Sequence, residues 1–471
     1  MITLTVSDDR SGQAGEVRSV IWGGDVQGTS LKFTIKDTPV NNQPMADVYV
    51  ILHGTDGKTV DRFIKTTADG IADFGDIGRD RATVTLAYIE ETANQYYNST
   101  SRTIETYVDV LVGNIIYYID DSIEDAYCET SDTAINARLA WDGGVPADLG
   151  WVDFSPFSGV FSEDNVNFNA IKVCPGHIQN DGKISILSQA YGEGEQQALL
   201  RYGYVTDQDL VNNGTYDIAM NRTPLEATWS TEPATPMQNV SIDGTRKGVD
   251  YFFMGSHGET PATFGILPVP NEFPMDSYWV TAYSGYESAD NTSLTTRKKY
   301  DAIPQYMEIP VPDFAFDGVS YDPATRTFSW NLLGSADRDI MNVSFYQDNS
   351  YEENGVYQSI STYWDASMNP DSSQWTLVDL PAEIASWVDL QQVNEYTVST
   401  FDIDVFSGFD SMWYAYINGV DPELESQRMF SASRTGFSPD GLKKRALDKP
   451  ASTEDVKKPN FRKPLKGLNR N

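Results

Sequence analysis

The chain has 471 residues, of which 40% are hydrophobic and 12% aromatic, and a formal net charge of −34. That is enough apolar material for several cores and excludes a disordered body. The charge is divided: residues 441–471 carry a net of +7 and the other residues −41. A body this acidic repels nucleic-acid phosphates and anionic membranes, so no nucleic-acid partner is expected.

The first residues, MITLTVSDDRSGQ, have neither a basic n-region nor an apolar h-region. No stretch reaches the roughly 18 apolar residues of a membrane helix. The chain as given is therefore expected to lack a signal peptide, as a mature form, a truncated chain or one with a misassigned start would, and to have no transmembrane helix. Residues 1–30 are polar and Gly-rich and read as a leader or an edge strand. From residue 31 the period of two begins, with Leu31, Phe33 and Ile35 against polar neighbours. ADVYVILHG, a TDGK turn, RFIKTTADGIADFGDIG, ATVTLAYIE and the pair TIETYVDVLVGNIIYYID give about six strands in roughly 90 residues, the spacing of a small sandwich.

Within this stretch, Thr66 to Gly78 holds Asp69, Asp73 and Asp76 among three glycines. A calcium loop needs more oxygen ligands at tighter spacing and a distal glutamate. The expectation is instead a β-hairpin with Asp69-Gly70 at its turn, where glycine supplies positive φ.

Pro44, Ala46, Asp47, Val48 and Val50, followed by Thr66, Asp69, Gly70, Phe74 and Ile77, resemble the carboxypeptidase regulatory-like (transthyretin-like) domain. The resemblance covers about a fifth of the chain. It implies a non-catalytic sandwich over 1–120, used as a spacer or surface module.

The acidic run Asp120, Asp121, Glu124 and Asp125 leads into residues 121–312, which then read as strands and glycine-rich turns. They form one large sandwich or two small ones dividing near 223, and end on the Pro-rich IPQYMEIPVPDF. In 313–436, GVSYDPATRTFSWNLLG reads as a hairpin with Trp330 turned into the core. It resembles the opening of a fibronectin type III or related Ig-like sandwich. LPAEIASWVDL is the one expected helical turn, while VNEYTVSTFDIDVFSG and SMWYAYING read as strands. TPLEATW and ATRTFSW echo one another, as do ILPVPNEFPMDSYW and DLPAEIASW, which suggests two repeats of one sandwich type. Residues 437–471 lack apolar periodicity, carry ten Lys and Arg after residue 440, and are expected to be a disordered basic tail.

Chemistry-bearing patterns are sparse. The three histidines, His53, His177 and His257, show no metal spacing, and no nucleophile elbow is present. Cys128 and Cys174 match no zinc or redox spacing. In an exported chain they form one disulfide, the preferred reading; as free thiols they would leave Cys174 beside His177 as a candidate nucleophile pair. Asp402 with Asp404, and Asp337 with Asp339, are acidic clusters able to take a cation, so Ca2+ is the one ion left open. Trp279 and Tyr283 share a strand face, as do Met412, Tyr414 and Tyr416 if that segment is a strand. Exposed rings of this kind stack on sugars; buried, they are core. Six N-x-[ST] sequons stand at Asn98, Asn213, Asn221, Asn239, Asn291 and Asn342.

The expected protein is all-β, built of tandem antiparallel sandwiches (Ig-like and transthyretin-like). It is exported, as a secreted, periplasmic or surface lipoprotein chain. It has no catalysis of its own, and its partner is a protein or polysaccharide at the cell surface. A carbohydrate-binding protein or an accessory module of a hydrolase is the alternative.

Overall fold

A computed structural model describes residues 28–437, apart from 38–41, 94–96, 120–131, 158–161, 163, 194–198, 233–238, 254–261, 267–272, 285–291, 354–355, 391–392 and 418–425. Residues 1–27, the basic tail after 437, Cys128, His257 and the acidic run 120–125 therefore lie outside the described residues.

The described chain is all-β. Alternation sets the layers from the first strand, Ser30–Lys36, where Leu31, Phe33 and Ile35 are buried and their neighbours are not. Three strands, Ile71–Asp76, Ser30–Lys36 and Asn114–Tyr118, form one small sheet, in which the first strand runs parallel to the last, Phe33 opposite Ile115. It faces Val60–Lys65, Tyr49–His53, Arg81–Ala93 and Tyr97–Leu111 across a core that includes Phe33, Val50, Phe74, Leu86 and Tyr117.

The same plan recurs twice. Asn167–Lys172, Ala134–Trp141 and Thr215–Met220 face Leu149–Ser155, Lys183–Gly192 and Leu199–Asp209, with Phe154, Phe168 and Ile186 between them. Ala262–Ile266, Leu225–Glu232 and Tyr306–Pro310 face Val249–Phe253, Asn239–Arg246, Ser277–Ser284 and Ser293–Tyr300, with Trp229, Ile242 and Tyr251 inside. In both, the opening strand again pairs parallel with the closing one, Ala137 opposite Tyr216 and Trp229 opposite Met307. A fourth layered pair differs. Phe314–Asp322, Thr327–Gly334 and Gln374–Thr376 face Val356–Met368, Ile340–Asp348, Glu395–Ile403 and Arg428–Phe437 around Phe328, Trp330, Val343 and Trp364.

These sheets are not separate. Val356–Met368 of the fourth sandwich pairs in parallel with Tyr97–Leu111 of the first, from Tyr357 opposite Tyr97 to Ser367 opposite Tyr107. Arg428–Phe437, on the far side, pairs antiparallel with Ser293–Tyr300 of the third, from Ser433 opposite Ser293 to Arg428 opposite Lys298. The result is one 13-stranded sheet shared by three sandwiches. Joining edges satisfies the free N–H and C=O rows that an isolated sandwich must otherwise protect.

Four sequence expectations are corrected. Asp69-Gly70 is a turn, with Gly70 at φ +70°, but not of a hairpin. Val60–Lys65 pairs with Tyr49–His53, whereas Ile71–Asp76 pairs with Ser30–Lys36, so the turn carries the chain from one sheet to the other. The expected pair in TIETYVDVLVGNIIYYID likewise splits between the two sheets. The described part of SMWYAYING is no strand: Phe409–Ile417 is a helix. Phe409, Met412 and Trp413, at i, i+3 and i+4, are buried in the first sandwich's core, and period 3.6 overrides the apparent alternation. The TPLEATW and ATRTFSW echo is not structural. Trp229 lies on a strand that opens a sandwich, and Trp330 on the second strand of a hairpin in one of different strand order.

Candidate functional site

The first and fourth sandwiches meet at a seam where carboxylates and phenols gather. Glu105, on Tyr97–Leu111, and Asp365, on Val356–Met368, stand directly opposite one another in the parallel register. Glu105 is 7% exposed. Its Oε2 accepts hydrogen bonds from the Tyr107 hydroxyl at 3.1 Å and from Tyr117 OH, and its Oε1 from Tyr88 OH at 3.5 Å. A buried carboxylate tolerates its charge only with such donors. Tyr363 is pushed well above the ordinary phenol range by burial and then by the charge of Asp365, with Glu105 adding to it. Two facing carboxylates are the raw material of acid–base catalysis. Here Glu105 is committed to tyrosine hydroxyls, and the arrangement ties strands of two sandwiches together. Nearby, Trp364 Nε1 donates to Thr106 Oγ1 at 3.1 Å across the same seam.

The two acidic clusters read separately from the sequence come together. Asp339 is 2% exposed and accepts from the backbone N–H of Ile403 at 2.7 Å and of Gly408 at 2.8 Å, so it fastens the loop leading into the Phe409–Ile417 helix. Burial pushes its carboxyl up. Asp402 lies close enough for Asp339 to act on it. Burial first, and then the charge of Asp339, push the Asp402 carboxyl up to about 6, against the pull of Arg428 at 3.6 Å. Asp404 has passed the strand end and accepts from Gln427 N at 3.0 Å. Among the described residues no three His, Cys, Asp or Glu side chains converge in a way that could hold a metal ion. The carboxylates of the Thr66–Gly78 stretch serve its turns: Asp73 accepts from Gly75 N and Asp76 from Gly78 N.

The two described histidines are both held in place by hydrogen bonds and packing. His53 is fully buried, with Nε2 2.9 Å from Thr85 Oγ1 and Nδ1 3.1 Å from Lys58 O, and burial lowers its pKa to about 4. His177 Nδ1 accepts from Cys174 N at 3.2 Å, its ring stands edge-on to Phe157, and burial lowers it to about 4 as well. Cys174 is 3% exposed and no free cysteine occurs among the described residues. Its expected partner, Cys128, lies outside them.

The aromatic faces divide. Trp279 is 5% exposed, clustered with Ile403 and Met429, and covered by Arg297 and Lys299 at 4.8 and 5.7 Å from its ring. Met412 and Trp413 are buried in the first sandwich's core. Neither is a sugar platform. The sequon residue Asn342 is 5% exposed, Asn98 Nδ2 donates to Gln358 Oε1 across the seam, and Asn291 lies outside the described residues.

Sequence reading missed the long hairpin of Ile340–Asp348 and Tyr351–Glu353 with Val356–Met368. Glu353 pairs with Val356, and the two residues between them read Asn-Gly, the strongest short hairpin signal. It also missed the clamp between the second and third sandwiches. Arg246, 4% exposed, donates to Asp207 Oδ2 at 2.7 Å and to Pro274 O at 2.8 Å, and Lys247 Nζ bonds Asp207 and Asp181 at 2.6 and 2.8 Å.

No protein-family model matches the chain, and no curated protein matches it. Among solved structures, the pilus adhesin SpaC from Lactobacillus rhamnosus GG is similar over 72% of this chain, at 10% identity and a TM-score of 0.12. The match spans 44% of that adhesin, so the chain covers less than half of its length. No helix among the described residues is long and apolar enough to cross a membrane.

Proposed function

We propose that this chain is a non-catalytic, exported multi-domain β-sandwich protein acting at the cell surface or in the periplasm as a binding or structural module. The observation that carries this reading is the shared sheet. The fourth sandwich is hydrogen-bonded on one edge to the first and on the other to the third. Sandwiches joined only by linkers move independently. Backbone ladders across both edges make a stiff platform, suited to presenting a surface or bearing load. The carboxylate pairs at the seams are engaged in holding strands and loops, which supports a structural role for them over hydrolysis.

The domain reading that follows is four units, 28–119, 132–222, 223–311 and 313–437, with the region between 121 and 312 divided in two. Buried Val48, Val50 and Phe74 support the carboxypeptidase regulatory-like reading of the first unit. In the last, the split of three strands against four and the core position of Trp330 support the fibronectin type III-like one. The buried Cys174 supports a disulfide to Cys128, and export supplies the oxidising compartment it needs.

Two measurements test the proposal. Scanning calorimetry should give one cooperative transition for the first, third and fourth units; separate melting of the three would remove the stiff platform. Alkylation of denatured protein from its native cells should label neither cysteine until a reductant is added; free labelling of both would place the chain in a reducing compartment.

A further inference from the structure

Two long hairpins lie side by side at the seam. Arg81–Ala93 with Tyr97–Leu111 belongs to the first sandwich, and Ile340–Asp348 and Tyr351–Glu353 with Val356–Met368 to the fourth. Because Tyr97–Leu111 and Val356–Met368 run parallel, with Tyr97 opposite Tyr357, both hairpins extend the same way along the sheet. Toward the tips, no described side chain beyond Tyr88, Ile104, Phe345 and Trp364 belongs to a hydrophobic core. Gln347 and Thr362 are still buried, donating to Asp389 O and Trp387 O; past them the ribbon runs beyond the sandwiches for about six residues, ~20 Å at strand rise.

Register assigns its faces. Tyr346 stands opposite Tyr363, and Ser361 and Ser359 follow at alternate positions down to Tyr357, all on one face. Across the seam Ser99 and Ser101 pair with Ser359 and Ser361 and join that face. Tyr351, opposite Gln358, is on the other. Tyr346 is 53% exposed and Tyr357 46%. The face is thus a row of serine hydroxyls between exposed tyrosines. The charged positions that register places at its edges are negative: Asp348 opposite Ser361, Glu352 opposite Tyr357, and Glu90 opposite Ser101.

We infer that this face binds a neutral polysaccharide chain, a ligand class that rests on the binding-module reading above. Tyrosine rings offer flat apolar area with a hydroxyl tip for the CH faces of sugars, at little cost in side-chain entropy. Serine hydroxyls donate and accept, matching sugar hydroxyls in either sense. The edge carboxylates accept further sugar hydroxyls and turn away polyanions, as does the −41 charge of the body. An uncharged polyol is the partner that this face complements.

Affinity gel electrophoresis of the full chain tests it, with dextran, galactomannan and a soluble β-glucan as neutral probes and alginate as the anionic one. At least one neutral gel should retard the protein. Tyr346→Ala with Tyr357→Ala should weaken that retardation tenfold or more, and Ser361→Arg, which fills the floor of the face, should do the same. Tyr351→Ala on the opposite face should leave it unchanged. Retardation by no neutral polymer, by alginate alone, or equally in the wild type and in the face variants would overturn the assignment. A single calorimetric transition without glycan binding would sink this inference and leave the stiff module standing.

Discussion

Arg81 and Asp410, 329 positions apart, form a two-pronged ion pair: Nη1 to Oδ2 at 2.9 Å and Nη2 to Oδ1 at 2.8 Å. Arg81 opens a strand of the first sandwich, and Asp410 is in the first turn of the helix that the fourth sandwich lays on it. The Arg81 Nε also reaches Asp109 at 3.0 Å. The guanidinium fork fixes the helix in one orientation, which a point charge could not. Both partners are partly exposed, so solvent screens the pair. A double-mutant cycle of Arg81→Ala and Asp410→Ala, followed by denaturant unfolding, should give a coupling of about 1 kcal/mol. A coupling near zero would mean the pair only decorates the contact.

Trp413 carries more of that contact. It is 4% exposed, sits in the first sandwich's core, and its Nε1 donates to Leu111 O at 3.2 Å. Trp413→Ala should cost about 3–5 kcal/mol. The loss should appear as faster proteolysis or hydrogen exchange in residues 28–119, far from the mutation in sequence. Destabilisation confined to the fourth sandwich would contradict the docking of the helix.

Asp402 and the two described histidines pull stability in opposite directions with pH. The Asp402 carboxyl is raised to about 6 from 3.8, so its contribution is fully present below about 3.8 and is lost as pH rises through about 6. Asp402→Asn should therefore stabilise the protein at pH 7–8 and have little effect near pH 4. An Asp402→Asn variant no more stable than wild type at pH 8 would show that Arg428 already compensates the charge.

His53 and His177 are lowered to about 4 from 6.5. Their contribution is present above 6.5 and is lost as pH falls through about 4. By NMR, neither imidazole should titrate between pH 8 and 5. A midpoint near 6.5 for either ring would mean that it is open to solvent.

Two glycines of one turn region should differ in cost. Gly70 and Gly78 both have positive φ, but a Cβ on Gly70 would come within 2.2 Å of Ile35 O, whereas Gly78 faces open space. Gly78→Ala should cost about 1 kcal/mol from conformation alone. Gly70→Ala should cost several times more, because Ile35 N also bonds Gly70 O at 2.7 Å and the backbone cannot yield freely. Equal costs would mean that the sheet-switching turn adapts.

Local rules made much of this protein legible in its sequence. Alternation at Leu31, Phe33 and Ile35 fixed a strand and its buried face, Asp69-Gly70 fixed a turn, and Trp330 was rightly placed in a core. Each depends only on neighbours along the chain. Which strands share a sheet did not follow. The Thr66–Gly78 turn looks the same whether it closes a hairpin or crosses between sheets, because glycine answers to φ and not to the partner strand. The edge pairing of Tyr97–Leu111 with Val356–Met368 is made by backbone groups that every residue carries, so no side chain announces it. That pairing sets Glu105 against Asp365 and assembles a row of serines from two hairpins more than 200 positions apart, and only the tertiary structure lays the Phe409–Ile417 helix on a foreign core.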